Sequence, residues 1–309
     1  MPAPRIDVIE TADRPRWSVM IPAWNAEGFL AETIASVLDS DLPKGSQIEV
    51  IDDCSTDATS DVVNRFVSAG VGYFRHTEQQ GAVANFNACL ARSRGEFVHL
   101  LHADDLAVAG FYTAAQSAFG DSPAIASVCR TQYVDEAGLP IKVTRSESAT
   151  GLWKDAVQVL AISNRVRPPG IAVRRSAYET VGGFMENLPH AADWEMWARL
   201  SRHGPIWFED RILARYRVHE GQDTSGRVVD ASNIADRVDA LEIIAADLPD
   251  RDSLVRKGLL YTAVFAARTS WNLARQGSWT ASGNQLKAAA RAGLAGATGR
   301  TSLARRVST

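Results

Sequence analysis

An α/β fold with a mostly parallel central sheet and a helical C-terminal extension is what the sequence predicts, on three observations. Short apolar runs alternate with amphipathic stretches over the first hundred residues, the rhythm of strand–helix–strand units joined by crossovers. Three of these runs end in polar clusters rather than in simple turns. From about Asp230 the pattern becomes helical and stays so to near Gly296.

Residues 1–15 read as a loose arm. "WSVMI" (Trp17–Ile21) is a buried strand, and "GFLAETIASVLDS" carries a helical stripe through Phe29, Leu30, Ile34, Val37 and Leu38. "IEVI" (Ile48–Ile51) is the second strand, with Asp57 placed to cap a helix running to about Ala69. "VGYF" (Val71–Phe74) is the third. A helix over about Ala82–Arg92 leads into the fourth, "EFVHLL", which ends at Asp104 and Asp105. Next come a longer strand, a turn at Glu136-Ala137-Gly138 and a return strand. "GIAVRRSAYETVGGF" reads as a strand and a helix capped by Ser176 and stopped by Gly-Gly. "DWEMWARLSRHG" is a short amphipathic helix and "RILARYRVH" a late strand.

Composition is that of an ordinary globular protein, with 46% hydrophobic and 22% charged residues among 309. The net charge of −3 conceals an asymmetry: after Asp252 there are nine Lys or Arg and no acid, which leaves 24 basic against 36 acidic residues before it. Cys54, Cys89 and Cys129 match no zinc spacing and cannot all pair, which favours a reducing cytoplasm. The opening residues lack the apolar core of a signal peptide, and "LLYTAVFAA" is too short to span a bilayer. No nucleic-acid partner is expected.

In an open parallel sheet, ligands bind beyond the carboxyl ends of the strands. Here those ends carry "PAWNAE" (Pro22–Glu27), "DDCSTD" (Asp52–Asp57) and "HADD" (His102–Asp105). Neither G-x-G-x-x-G nor G-K-[ST] is present, so no glycine-rich cradle serves phosphates. Carboxylates facing a phosphorylated ligand require a divalent cation between them. The strand ends therefore point to a metal-bridged nucleotide. His99 stands an odd number of residues from His102, on the opposite strand face, and is expected in the core.

"SVMIPAWNAE", "EVIDDCSTDAT", "GAVANFNACLARSRGEFVHLLHADD" and "VGGF…ADWEMWARL", followed by "YRVHEGQDTS", stand in order over about Trp17–Ser225. Together they resemble the successive blocks of the family 2 inverting glycosyltransferases of bacterial surface-polysaccharide type. The resemblance implies a GT-A fold, the Rossmann-like nucleotide-diphospho-sugar transferase fold. It sets domains at 1–15 (arm), 16–228 (catalytic) and 229–309 (basic helical extension).

It also implies roles. Pro22, Trp24, Asp53, Asn87, His102 and Asp104 fall at donor-binding positions, with Trp24 stacking on the base and Asp53 accepting from its N–H. Asp52 serves there or orients its loop. Asn25 organises its own turn. Mg²⁺ or Mn²⁺ falls to Asp104, or to Asp105 if the register shifts by one, with His219 reaching the metal or the diphosphate. Arg217 and Ser225 are further diphosphate candidates. Asp193 is the implied base, its alternative role being a helix cap; Glu195 is the rival base, and His190 lies on the acceptor side. The partners implied are a nucleoside-diphosphate sugar donor and a glycan or lipid-linked acceptor.

The sequence departs from the family pattern at three places. His102 replaces the first acid of D-x-D, Phe86 replaces an arginine, and Ala192 replaces the glutamate before Asp193. These departures leave open a catalytically silent relative that binds sugar nucleotide or glycan. A nucleotidyltransferase would need a basic, glycine-rich loop after the first strand, which "PAWNAEGF" lacks. In the tail, Leu259, Leu260, Val264, Phe265, Trp271 and Leu273 form one candidate stripe. It packs on the body, or its basic flank meets an anionic membrane from the cytoplasmic side.

Overall fold

The computed structural model describes residues 3–10, 13–219, 221 and 227–299. By contacts the chain divides into a sheet unit (residues 1–154, 166–186 and 200–218) and a helical unit (residues 155–165, 187–199 and 219–309). This is not the linear division expected at 228/229, because two short internal segments group with the C-terminal helices.

In the sheet unit, strand β1 (Trp17–Ala23) is buried at every residue. It pairs in parallel with β2 (Gln47–Asp52) on one side and β4 (Phe97–Leu100) on the other, and β2 pairs in parallel with β3 (Val71–Arg75). The crossovers are α1 (Leu30–Leu38), α2 (Thr59–Asn64) and α3 (Ala82–Arg92). After β4 come β5 (Leu106–Ala107), α4 (Phe111–Asp121), β6 (Ala126–Val134), β7 (Pro140–Val143) and β8 (Gly151–Leu152). Then follow α5 (Ala156–Leu160), β9 (Ile171–Arg174), α6 (Arg175–Val181), α7 (Ala192–His203) and β10 (Ile206–Arg217). The sheet order is β3-β2-β1-β4-β9-β6-β10-β5, with β9 antiparallel to both neighbours and β10 parallel to β6. Its core centres on Trp17, whose ring lies 5.2 Å from Phe97 and 5.1 Å from Tyr112. Gly95 is required where α3 turns into β4: a Cβ there would sit 2.4 Å from the Ser18 nitrogen.

Three local expectations are corrected. The arm is not loose: Ile6 is buried, Arg175 donates to the Asp7 carbonyl at 2.9 Å, and the Gly183 N–H donates to the Pro4 carbonyl at 2.7 Å. The helix after β2 stops at Asn64, followed by a separate 3₁₀ turn at Val67–Ala69. Asp57 does accept from the Thr59 N–H at 3.0 Å, at its start. Ser176 is no cap, since α6 begins one residue earlier at Arg175.

The helical unit holds α5, the first turns of α7, and α8 (Ser232–Ala245), α9 (Arg251–Arg275) and α10 (Trp279–Thr298). Arg237 of α8 lies 4.9 Å from the Trp194 ring centroid and 4.7 Å from that of Phe265. This ties α7, α8 and α9 together through one guanidinium. Among the described residues no helix is long and apolar enough to cross a membrane.

Candidate active site

The loops after β1, β2 and β4 are laced to one another by polar side chains. Asn25, in a left-handed conformation (φ 47°), accepts from the Thr56 N–H at 2.8 Å, and its own N–H donates to Ser55 Oγ at 2.8 Å. Glu27 and Asp57 exchange bonds across the same gap: the Glu27 N–H donates to Asp57 at 3.0 Å, and the Ala58 N–H donates to Glu27 at 2.9 Å. Cys54 is also left-handed (φ 62°), so two of the three non-glycine residues with positive φ among the described residues lie in these loops. Such backbone persists only where surrounding bonds over-determine it. Thr33 of α1 donates to the Ala103 carbonyl at 2.8 Å and brings in the third loop.

The acids of these loops divide by what they hold. Asp52 accepts from the Ser55 N–H at 2.9 Å and from the Tyr73 hydroxyl at 2.6 Å, so it orients its loop. Asp53, expected on a base, uses both oxygens on the chain itself: the N–H groups of Gln80 and Gly81 donate at 2.7 and 2.8 Å, and the residue is 2% exposed. Asn87 makes a reciprocal pair with the Phe184 backbone at 2.7 and 3.0 Å, so its amide fastens the loop after α6 rather than reaching toward a donor. Pro22 is buried within β1. Trp24, two residues on, is 50% exposed, and its indole is open to a stacking partner.

Beyond β4, His102, Asp104 and Asp105 each offer one ligand atom, and these atoms all lie within 4.8 Å of one another. Asp105 is fully buried and accepts from the Arg217 N–H at 2.9 Å through Oδ1, while Oδ2 has no hydrogen-bond partner. Burial, and then the Asp104 charge beside it, push its carboxyl well above the usual range. An orphaned buried carboxylate oxygen between an acid and an imidazole fits a divalent cation, because a bound cation supplies the charge and the contact that such an oxygen lacks. The residues present thus fit the implied metal.

His102 is half-buried, and its imidazole stacks on Phe86 with centroids 4.9 Å apart and planes 18° from parallel. Two of the three departures from the family pattern are therefore one contact. His99 is in the core as expected: Tyr112 and the Pro169 carbonyl each lie 3.1 Å from a ring nitrogen, and burial lowers its pKa to about 3.

Arg217 is corrected and gains a different role. Only 1% exposed, it donates to the carbonyls of Asp104 (3.0 Å) and Glu136 (2.8 Å) and to Glu32 (2.5 Å). It clamps the loop after β4 from behind, with its guanidinium taken up by these oxygens. No local pattern announces this, since Glu32 is 185 positions away. His219 is half-buried, belongs by contacts to the helical unit, and is not in the ligand group found among the described residues. Ser225 lies outside the described residues.

In the helical unit, Asp193 is half-buried in the first turn of α7, accepting from Asn164 at 2.9 Å and from the Trp194 N–H at 2.6 Å. Glu195, the rival, is 2% exposed, and both its oxygens accept from Arg199 at 2.9 and 2.8 Å. That ion pair leaves Asp193 as the more available carboxylate of the two. His190 donates its backbone N–H to Asp236 at 2.7 Å, which joins the loop before α7 to α8.

The family model described as "Glycosyl transferase family 2" matches residues 18–182, more than half of the chain. The chain belongs to glycosyl transferase family 2. The chain is 34% identical over 94 residues, 30% of its length, to the putative teichuronic acid biosynthesis glycosyltransferase TuaG of Bacillus subtilis (strain 168). The match spans only 37% of TuaG. An uncharacterized protein of Mycobacterium tuberculosis is 23% identical over 246 residues, covering 76% of this chain and 77% of its own. Among solved structures, residues 1–349 of Staphylococcus aureus TarS in complex with UDP-GlcNAc superpose with a TM-score of 0.69 at 18% identity, over 94% of this chain and 90% of that one. The mannosyltransferase PcManGT of Pyrobaculum calidifontis, in complex with GDP-Man and Mn²⁺, gives 0.58 at 18% identity over 92% and 88%. The chain therefore has the GT-A fold expected from its sequence.

Proposed function

We propose that the protein transfers a sugar, with inversion, from a nucleoside-diphosphate sugar to a hydroxyl of a glycan or lipid-linked acceptor, and depends on Mg²⁺ or Mn²⁺. The observation that carries this reading is the His102–Asp104–Asp105 group beyond β4, with its orphaned Asp105 oxygen, in a family 2 chain. The complexes of TarS with UDP-GlcNAc and of PcManGT with GDP-Man and Mn²⁺ support the donor class and the metal. TuaG, named for teichuronic acid biosynthesis, supports a surface-polysaccharide acceptor.

In this reading Trp24 stacks on the nucleotide base, and stacking tolerates any base. Asp104 and Asp105 hold the cation, with His102 beside them oriented by Phe86. When bound, the cation offsets charge on the diphosphate leaving group. Asp53, Asn87 and Arg217 keep the surrounding loops in register. Asp193 accepts the proton of the acceptor hydroxyl as its oxygen bonds to the anomeric carbon. The bond from that carbon to the diphosphate oxygen breaks, and the nucleoside diphosphate leaves with the electron pair.

The test is incubation with UDP-, GDP- and dTDP-sugars plus Mn²⁺, with detection of free nucleoside diphosphate. Release from one donor class, abolished by chelator, is expected. The second reading, a silent relative, draws on the Phe86–His102 stack in place of two charged groups. Donor binding in calorimetry without release from any donor, acceptors of several kinds being supplied, would favour it.

A further inference from the structure

In the α9–α10 pair the small side chains face inward and the large apolar ones face out. On α9 the buried line runs through Gly258, Thr262, Ala266 and Ser270, with Leu259 the one large aliphatic fully enclosed in mid-helix. On α10 the buried residues are almost all Ala, Gly or Ser. Ser270 donates to the Ser282 carbonyl at 2.9 Å across the pair. A Cβ on Gly258 would collide with the Leu241 side chain, and one on Gly296 would lie 3.1 Å from Cγ of Leu260, at the inner edge of its row, and 3.2 Å from the Arg256 carbonyl oxygen.

By contrast Trp271 is 67% exposed, Trp279 72%, Leu286 58%, Leu294 55%, Val264 51% and Leu260 46%. At 100° per residue, Leu260, Val264 and Trp271 share one side of α9, and Trp279, Leu286 and Leu294 share one side of α10. The two tryptophans bracket the turn at residues 276–278.

Exposed cations run beside each row: Lys257, Arg268 and Arg275 on α9, Lys287 and Arg291 on α10. Among the described residues no ion pair engages these five, and no acid follows Asp252 to neutralise them. An aromatic-tipped apolar row flanked by Lys and Arg is the composition of a helix lying in a lipid interface, where indole rings sit at headgroup level. Neither helix is apolar enough to cross the bilayer, so attachment is peripheral.

We propose that the exposed rows of α9 and α10 form a peripheral membrane-binding surface, with Trp271 and Trp279 entering the headgroup layer and the flanking cations meeting anionic lipid phosphates. This is independent of the donor and acceptor assigned above. The unpaired cations favour an anionic surface over a second copy of the chain, whose own rows are equally basic.

The test is flotation of the full-length protein with vesicles of phosphatidylcholine alone or mixed with phosphatidylglycerol, at low and high NaCl. Binding to the mixed vesicles is expected, weakened at high salt and at least about tenfold weaker to phosphatidylcholine alone. The double variant Trp271→Ser/Trp279→Ser should lose most of the binding at either salt concentration. Conversion of the five cations to Gln should remove the anionic preference. All these side chains are exposed, and circular dichroism verifies that the variants fold. No binding to the mixed vesicles, equal binding to both compositions, or binding unaltered in both variants would overturn the proposal. So would sedimentation velocity showing a lipid-free dimer that the tryptophan variant dissolves, since a second copy would then cover the face.

Discussion

The sheet unit and the helical unit hold their acids in different ways. At the strand ends main-chain amides reach each of three acids: Gln80 and Gly81 on Asp53, Ser55 on Asp52 beside the Tyr73 hydroxyl, and Arg217 on Asp105. At the start of α7 side chains take a larger share: Arg199 engages both oxygens of Glu195, and Asn164 joins the Trp194 amide on Asp193. A main-chain amide stays when its own side chain is replaced, whereas a side-chain partner can be lost in a single substitution. The interiors differ too. The sheet unit packs Trp17, Phe97, Tyr112 and Phe119 at its centre, while α9 and α10 close over Ala, Gly and Ser. The first unit is built to fix a ligand loop, and the second to bring two backbones close with its bulk outward.

The largest expected effect separates chemistry from donor binding. Asp193→Asn should lower turnover by about 100-fold or more, the usual scale for a general base, with donor affinity in calorimetry nearly unchanged. Glu195→Gln should act chiefly on unfolding, because it breaks a nearly buried pair with Arg199. Were Glu195→Gln the more damaging to turnover at equal stability, the roles of the two acids would be exchanged.

Next in size, Asp104→Asn should weaken Mn²⁺-dependent binding of nucleoside diphosphate by on the order of 10–100-fold, because the amide keeps the shape and loses the charge. Asp193→Asn serves as the control that should not. Intact metal dependence in both Asp104→Asn and Asp105→Asn would place the cation elsewhere.

The packing contrast is probed by Gly258→Leu, expected to cost about 1–3 kcal/mol in urea unfolding through overpacking against Leu241. Leu286→Ser on the outer face, 58% exposed, should stay within about 0.5 kcal/mol. Equal costs would mean that the outer face is packed after all.

A last effect, read as a slope and not as a midpoint shift, is the pH dependence from the sheet core. His99 titrates at about 3 when folded and near 6.5 when unfolded, because burial disfavours its charged form. The unfolded chain therefore binds the extra proton between those values. Stability from this group is full above pH 6.5 and falls as pH drops toward 3, by at most about 1.4 kcal/mol per pH unit. His99→Gln should show a flatter decline over pH 6.5–5 than the parent; an unchanged slope would show that the imidazole stays charged or exposed.

The alternation of strands and helices, the turn at Gly138, the Gly-Gly stop after α6 and the inward placement of His99 were legible in the sequence, because period and parity are local properties of the backbone. So was the gathering of the polar strand ends, since the loops after β1, β2 and β4 are bonded to one another directly or through α1. The division of labour among those polar residues was not. Asp53 and Asn87 look like donor contacts from their positions, yet each is taken up by a backbone loop 27 to 97 residues away. Arg217 looks like a phosphate contact and instead is enclosed behind the loop after β4. The N-terminal arm is docked by Arg175, about 170 positions distant, while in the C-terminal helices Gly258 makes room for the Leu241 side chain and Gly296 lies against Leu260 and the Arg256 carbonyl. A hydrogen bond or a packing face is selected by which distant chain arrives beside it, and local pattern carries no record of that arrival. The element order is written in residues three or four apart; the fate of each carboxylate and each apolar row is settled by contacts across the whole chain.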